Sequence, residues 1–346
     1  MTRLIFARWY PYVLPLRSPL KTASHTWHER RGVVITLQDE DGAVGYGEAA
    51  PFLTTESWAE TVAQVGTVLS QWVGRTLPDL AELPSWLVGC DHTPATRHGL
   101  ELALLNLLAQ RAEVSLAALV AGSEGTVASR VAVNRLVGGG TVAETLARVQ
   151  QGFEEGDRCF KLKVGHDFAQ DRQRVRGTRD WLGERGELRL DANGAWTLTE
   201  AIAHCAELSP WGIEYIEQPV ATGEDLAEVR WRSAVPVAAD ELVTSLTALK
   251  SLLSWGAADI YVLKPMQLGG LLVAREAATE ILKQGLSVVI TTAIDGAIAR
   301  HGAIHLAATL PAIHAHGLGT GSLLAEDLSY PCPQVHRGFI ALEPSC

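Results

Sequence analysis

The sequence predicts an α/β protein, a TIM-type (β/α)7β barrel preceded by an N-terminal α+β capping domain. Three observations carry this. Strand-like segments cluster in the first 50 residues and helical segments follow them, the order of an α+β unit. After residue 126, short apolar runs alternate with helical stretches, each repeat about 25 residues long, as in βαβ units of a parallel sheet. Eight such runs in roughly 190 residues suit a closed barrel better than an open doubly wound sheet. No G-x-G-x-x-G follows the first of them, and no phosphate-binding G-x-x-x-x-G-K-[ST] is present. The expected domains are residues 1–125, with a tail at 322–346 returning to the cap, and residues 126–321.

In chain order, Leu4–Leu16, Gly32–Gln38 and Ala43–Ala49 read as strands of an antiparallel meander, with Asp41-Gly42 supplying a tight turn. Helical patterns follow near 56–74, 80–90 and 94–112. The last is apolar on more than one face, so it is expected to pack inside the molecule. The barrel strands are expected at Val131–Val137, Cys159–Val164, Leu188–Ala192, Ile213–Gln218, Val235–Ala239, Asp259–Leu263, Ser287–Thr292 and Ala312–Gly317.

Composition narrows the function classes. Of 346 residues, 47% are hydrophobic and 20% charged, the balance of a folded globular chain. The formal net charge is −10 with no Lys/Arg block, so neither nucleic acid nor an anionic membrane is an expected partner. No apolar run has the length of a spanning helix, and residues 1–20 lack the order of a signal peptide, so a cytoplasmic location is expected. Cys90, Cys159, Cys205, Cys332 and Cys346 form no Cys-x-x-Cys pair and read as incidental thiols.

A barrel of this kind carries its active site at the C-terminal strand ends. Those ends read Lys161-Leu-Lys163, Asp191-Ala-Asn193, Glu217-Gln-Pro219, Asp240-Glu241 and Lys264-Pro265. A single carboxylate at such a place usually caps a helix, and a single lysine is usually solvated. Five charged residues at equivalent positions are another matter. Three convergent carboxylates repel one another unless a cation lies between them, and hard oxygen donors suit Mg²⁺, or Mn²⁺, rather than zinc. Lys163 and Lys264 would flank whatever the cation binds. Lys161 faces the same way as Lys163, and a neighbouring ammonium lowers proton affinity, which would favour a free-amine base. The expected substrate is a small carboxylate, and the expected chemistry is metal-assisted proton abstraction α to that carboxylate.

The ordered set K-L-K, D-A-N, E-Q-P, A-D-E and L-K-P resembles the enolase superfamily, and within it the muconate-cycloisomerase-like subgroup. The resemblance implies Asp191, Glu217 and Asp240 as Mg²⁺ ligands, Lys163 as acid/base and Lys264 as its partner on the opposite face. Within the subgroup the chain is most similar to the o-succinylbenzoate synthases. This rests on PLRSPLKTASHTWHERRG (residues 15–32) as a first specificity loop, GYGEAAPF (45–52) as a second, and ELRLDANGAW with Arg189 on the face of Asp191. The likeness implies dehydration of 2-succinyl-6-hydroxy-2,4-cyclohexadiene-1-carboxylate in menaquinone or phylloquinone biosynthesis. It also implies supporting or substrate-facing roles for Lys161, Arg189, Asn193, Trp27, Thr291 and Gly319.

Three alternatives remain open at this point. N-acylamino-acid racemases and dipeptide epimerases share the same catalytic set, although the strand 8 loop lacks the Asp-x-Asp that would hold a dipeptide ammonium. A non-catalytic metal-binding barrel leaves the lysines unexplained. Gly317–Gly321 is either a plain closing loop or an amide cradle for a carboxylate. Trp27 and His28 read as lid residues, His301 and His305 as ordinary helix residues, and Asp295 has no assigned role.

Overall fold

The computed structural model describes residues 2–21, 26–52, 54–123 and 125–342. Strands β1 (Leu4–Lys21), β2 (Thr26–Asp39) and β3 (Val44–Ala49) form an antiparallel sheet in that order. The Asp41-Gly42 turn forms as expected. The Asp39 carboxylate accepts the amides of Asp41 (3.0 Å) and Ala43 (2.9 Å), and Gly42 takes φ +91°, a value that favours glycine. Residues 15–21 and 26–32 of the expected first loop are the two arms of a ribbon, paired out to Lys21 and Thr26 with a register shift between Pro15 and Leu20, and residues 22–25 lie outside the described residues. The β-branched and aromatic run is longer in the sheet than the alternation suggested, and Trp27 is a strand residue.

Helices α1 (Trp58–Trp72), α2 (Leu83–Trp86), α3 (Pro94–Arg111) and α4 (Leu116–Ala121) complete the cap. A reciprocal Ser57/Glu60 capping box starts α1. Helix α3 is buried along most of its length, as its apolar faces required, and β3 lies directly on it. Gly47 allows that approach, because a Cβ there would overlap the Gly99 carbonyl. Helix α4 was not expected; six residues are too few to show a helical period.

The expected first barrel strand is broken into β4 (Arg130–Ala132) and β5 (Arg135–Val137). Then come α5 (Val142–Glu154), β6 (Cys159–Lys163), α6 (Phe168–Leu182), β7 (Glu187–Asp191) and α7 (Leu198–Leu208). Next are β8 (Tyr215–Glu217), α8 (Gly223–Arg232), β9 (Val237–Ala239), α9 (Leu246–Trp255) and β10 (Ile260–Leu263). The chain continues through α10 (Pro265–Leu268), α11 (Leu271–Lys283), β11 (Ser287–Ile290), α12 (Ala297–Ala307) and β12 (Phe339–Ala341). Among the described residues, β5 to β11 make a seven-stranded parallel sheet in sequence order.

The eighth strand expected at Ala312–Gly317 is reduced to two bridging residues. His316 bridges to Val133 and Gly317 to Thr291, which joins the two edges of the sheet. Side chains take the partners that a strand backbone would use. The His316 imidazole accepts the Ile290 amide (2.9 Å), and Arg189 donates to the Ala315 carbonyl (2.6 Å). The tail touches the cap, with the Ala325 amide on Pro15 O (2.8 Å) and Tyr330 edge-on to Tyr46, and further along β12 pairs with β4; residues 343–346 lie outside the described residues.

Buried carboxylates of the cap join it to the barrel. Glu48 of β3 accepts the amides of Gly296 (2.7 Å) and Ala299 (2.9 Å) at the start of α12, and the Tyr12 hydroxyl (2.5 Å). Glu101 of α3 accepts the Leu272 amide (3.0 Å) at the start of α11. The segment 45–52 is thus largely a strand and an anchor rather than a loop.

Candidate active site

Strand pairing places the charged residues in layers. Lys163, Asp191 and Glu217 are direct partners across β6, β7 and β8, and the layer two residues below holds Lys161, Arg189 and Tyr215. Asp240 follows β9 and Lys264 follows β10. All five strand-end residues therefore lie at the C-terminal end of one sheet, as the spacing predicted. Asp191 and Glu217 are 1% exposed and Asp240 7%.

The lysines sit directly on these carboxylates. Lys161 Nζ is 2.7 Å from Glu217 Oε1 and 3.0 Å from Asp191 Oδ2. Lys163 Nζ donates to Asp191 Oδ2 (2.5 Å) and Asn193 Oδ1 (2.8 Å). Lys264 Nζ donates to Asp240 Oδ1 (2.5 Å). Burial opposes the charge on Lys161 and Lys264, yet the facing carboxylates hold both above the ordinary lysine range. At these two lysines, opposite charges at hydrogen-bond distance outweigh both burial and a neighbouring ammonium. Burial likewise opposes ionisation of Asp191, but Lys161 and Lys163 keep its carboxyl well below the usual range. Glu217 goes the other way: burial, with Asp191 and Asp240 alongside, raises it despite Lys161.

Among the described residues no three Asp, Glu, His or Cys side chains are gathered as a ready metal cage. The donor set nonetheless fits a hard divalent cation. Asp191, Glu217 and Asp240 offer only carboxylate oxygens, and they come from neighbouring strand ends. Lys161 occupies the space between two of these carboxylates.

Other site expectations divide. Asn193 takes φ +47°, links Lys163 to Glu241 (Nδ2 to Oε1, 2.6 Å), and so belongs to the cluster. Arg189 is fully buried in the lower layer and paired with Glu214 (Nε to Oε2, 2.6 Å). Thr291 donates to Gly317 O (2.8 Å) and Gly317 N to Ile290 O (2.8 Å), so these groups close the sheet, and the Gly317 amide is withdrawn from any carboxylate cradle. Gly319 starts a half-buried 3₁₀ turn, Gly319–Leu323. Trp27 packs edge-on to Phe52 (centroids 4.9 Å) and, with His28 and Arg30, lines a cavity of about 610 Å³ in the cap. His301 and His305 are helix residues of α12 that contact each other (3.0 Å).

Sequence reasoning missed three residues. Gln218, φ +41° and 1% exposed, accepts the Asp240 amide (2.9 Å) and donates to Val220 O (2.8 Å), fixing the β8–β9 ends. It stood inside the E-Q-P motif, where a positive φ leaves no mark in the sequence. Arg30 donates to Ala50 O (2.8 Å) and Ile294 O (3.2 Å) and lies 3.9 Å from Asp295, tying β2 to the loop after β11. Arg174 is treated below.

Comparison with known proteins now bears on the arrangement. Residues 142–345 match the family described as enolase C-terminal domain-like, and residues 5–105 match the MenC N-terminal domain. The chain belongs to the enolase superfamily. Over 206 residues it is 40% identical to an o-succinylbenzoate synthase of Mycobacterium tuberculosis, which covers 58% of this chain and 60% of that protein. A Thermobifida fusca o-succinylbenzoate synthase is 41% identical over 177 residues, 50% of this chain and 55% of that one. The aligned stretch thus spans less than two thirds of these relatives. Among solved structures, the L-Ala-D/L-Glu epimerase from Bacillus subtilis superposes with a TM-score of 0.90 at 24% identity, covering 99% of this chain and 97% of that one. Muconate lactonizing enzyme from Pseudomonas fluorescens gives 0.88 at 24%, covering 99% and 95%. A dipeptide epimerase from Enterococcus faecalis, complexed with Mg and a dipeptide, gives 0.90 at 23%, covering 99% and 98%. At these identities the superpositions establish the fold alone, a barrel with its cap. No helix among the described residues is long and apolar enough to cross a membrane.

Proposed function

We propose that the chain is an o-succinylbenzoate synthase, a Mg²⁺-dependent lyase that dehydrates 2-succinyl-6-hydroxy-2,4-cyclohexadiene-1-carboxylate to 2-succinylbenzoate on the way to a quinone. The observation that carries the reading is the in-register row of Lys163, Asp191 and Glu217, with Lys264 hydrogen-bonded to Asp240 beside it. The 40% identity to o-succinylbenzoate synthases over part of their length supports this substrate within the superfamily.

Asp191, Glu217 and Asp240 would hold Mg²⁺, which supplies charge stabilisation for the substrate carboxylate as its α-carbon is deprotonated. Lys163 has the reach for the proton transfers, since its side chain is 34% exposed while its amine stays pinned by Asp191 and Asn193. As a free amine it takes the α-proton. The electron pair left on carbon forms the new ring double bond as the C–O bond breaks, and the Lys163 ammonium returns its proton to the departing hydroxyl, giving water. Lys264, ion-paired with Asp240 (2.5 Å), serves as a fixed positive charge near the developing enediolate.

An N-acylamino-acid racemase would use the same first step but needs Lys264 to exchange a proton itself. The hydrogen bond of the Lys264 amine to Asp240 (2.5 Å) suits the fixed-charge role. The test incubates the purified chain with Mg²⁺ and the cyclohexadiene substrate, following product absorbance, beside polarimetry on N-succinylamino acids in D₂O. Dehydration is expected. Absent dehydration with rapid α-deuteration would replace the synthase reading by the racemase.

A further inference from the structure

Arg174 belongs to no motif and touches no strand-end side chain, yet it is only 3% exposed at a point where a charge is costly to bury. Its guanidinium is fully engaged. Nε donates to Thr145 Oγ1 on α5 (2.9 Å), Nη2 to Gly138 O after β5 (3.1 Å), and Nη1 to Asp171 Oδ1 (2.8 Å) and to the carbonyl of Lys163 itself (2.9 Å). Asp171, 4% exposed and one turn earlier on α6, accepts the Gly165 amide with its other oxygen (2.8 Å). The ion pair therefore grips the chain on both sides of Val164.

This grip has a specific object. Strand β5 stops at Val137, opposite Leu162, so the Lys163 carbonyl has no ladder partner on that side. Arg174 takes the place of the missing strand residue. The peptide it holds sets the Cα–Cβ direction of Lys163, and a lysine carries its amine on four further rotatable bonds. A small rotation at the strand end would move that amine away from Asp191 Oδ2 and Asn193 Oδ1 by an ångström or more, a displacement that costs about 100-fold in a positioned reaction.

The same helix supplies a counterpart. Arg179 also spends its guanidinium on carbonyls, those of Trp211 (2.9 Å), Gly212 (2.7 Å), Gly183 (2.6 Å) and Gly186 (3.0 Å). These lie in the loops that enter β7 and β8, at the opposite end of the strands. One helix thus carries two carbonyl clamps, one at each end of the sheet.

We propose that Asp171 and Arg174 are positioning residues that orient the amine of Lys163, whereas Arg179 serves stability alone. The turnover arm of the test rests on the dehydratase reading; a second arm does not. Variants R174Q, R174K, D171N and R179Q are compared with the wild type by circular dichroism, kcat and KM. Without substrate, competitive acetylation with acetic anhydride is read lysine by lysine by mass spectrometry.

In folded R174Q, kcat is expected to fall by about 10- to 100-fold with KM within about twofold, and Lys163 acetylation to change at least about threefold relative to surface lysines. R174K keeps the charge without the planar fork and falls between. D171N shows the same direction with a smaller change. R179Q loses thermal stability while the folded protein keeps its kcat and its Lys163 labelling. Should R174Q fail to fold, R174K and D171N carry the comparison. Folded Arg174 and Asp171 variants whose kcat and Lys163 labelling match those of R179Q would overturn the proposal. A wild type without dehydratase activity would overturn the functional reading and leave the acetylation arm standing.

Discussion

Two regions of this molecule bury carboxylates, and they neutralise them differently. At the barrel mouth, Asp191, Glu217 and Asp240 meet the ammonium groups of Lys161, Lys163 and Lys264, and Glu217 is still driven upward, by burial first and then by Asp191 and Asp240. At the seam between cap and barrel, Glu48 and Glu101 meet backbone amides at the starts of α12 and α11. A helix N-terminus supplies a fixed partial charge that cannot leave or accept a proton. A lysine can do both. The seam is therefore built to hold still and the mouth to exchange charge, although each would look alike as a count of buried acids.

The largest expected effect is at the mouth. Lys163→Ala abolishes turnover, a loss of at least about 100- to 10,000-fold, while the melting transition and Mg²⁺ affinity stay close to wild type. Product absorbance and circular dichroism measure the two halves of that statement, and residual activity above a few per cent would remove Lys163 as the base. Glu217→Gln comes next. It weakens Mg²⁺ binding and turnover together, since an amide replaces an ionic ligand; unchanged affinity by calorimetric titration would show that Glu217 is not a ligand.

Lys264 sharpens the contrast inside the mouth. Lys264→Arg keeps the charge but, with a guanidinium pKa above about 12, hardly acts as a base. It is expected to retain more dehydration activity than Lys163→Arg, and a reversed ranking in initial rates would move the proton chemistry to Lys264. At the seam the expectation inverts. Glu48→Gln lowers stability by about 1–3 kcal/mol through weakened bonds to the α12 amides and Tyr12, with kcat of the folded enzyme unchanged. Denaturant titration paired with steady-state rates separates these.

The smallest effect concerns pH. Asp295 is raised to about 7, by burial first and by Glu48, against the pull of Arg30. A free aspartate titrates near 3.9. Between those values the folded protein holds a proton that the unfolded chain has released, so the contribution of Asp295 to stability falls as pH rises from about 4 to about 7 and is flat above. Asp295→Asn should flatten the melting temperature across that window by a few degrees. An unaltered pH profile would mean that Arg30 and Arg300 neutralise the carboxylate after all.

How much of this was legible beforehand follows from what periodicity can carry. Most of the βα rhythm and the strand-end placement of Lys163, Asp191, Glu217, Asp240 and Lys264 depend on alternation and spacing, which are local. Strand 8 is shorter than its strand composition suggests: only His316 and Gly317 keep backbone partners, in Ala132, Asn134 and Ile290, while Ala315 O is taken by the Arg189 side chain. The face of Arg189 was read correctly, but its depth was not. Parity tells which residues point inward, and only the layering of β7 against β8 puts Arg189 beside Tyr215 and beneath Asp191.

Sequence alone determined the superfamily barrel, its cap and the identity of the charged residues at the mouth, because these follow from short-range patterns and from residue types with few chemical uses. Tertiary structure alone decided which ammonium faces which carboxylate, that residues 15–21 and 26–32 pair as a ribbon, and that Arg174 holds the carbonyl of Lys163. Those contacts join residues far apart in the chain or on different elements, and their distances are set by how helices and strands pack, a three-dimensional fact with no trace in the local order of residues.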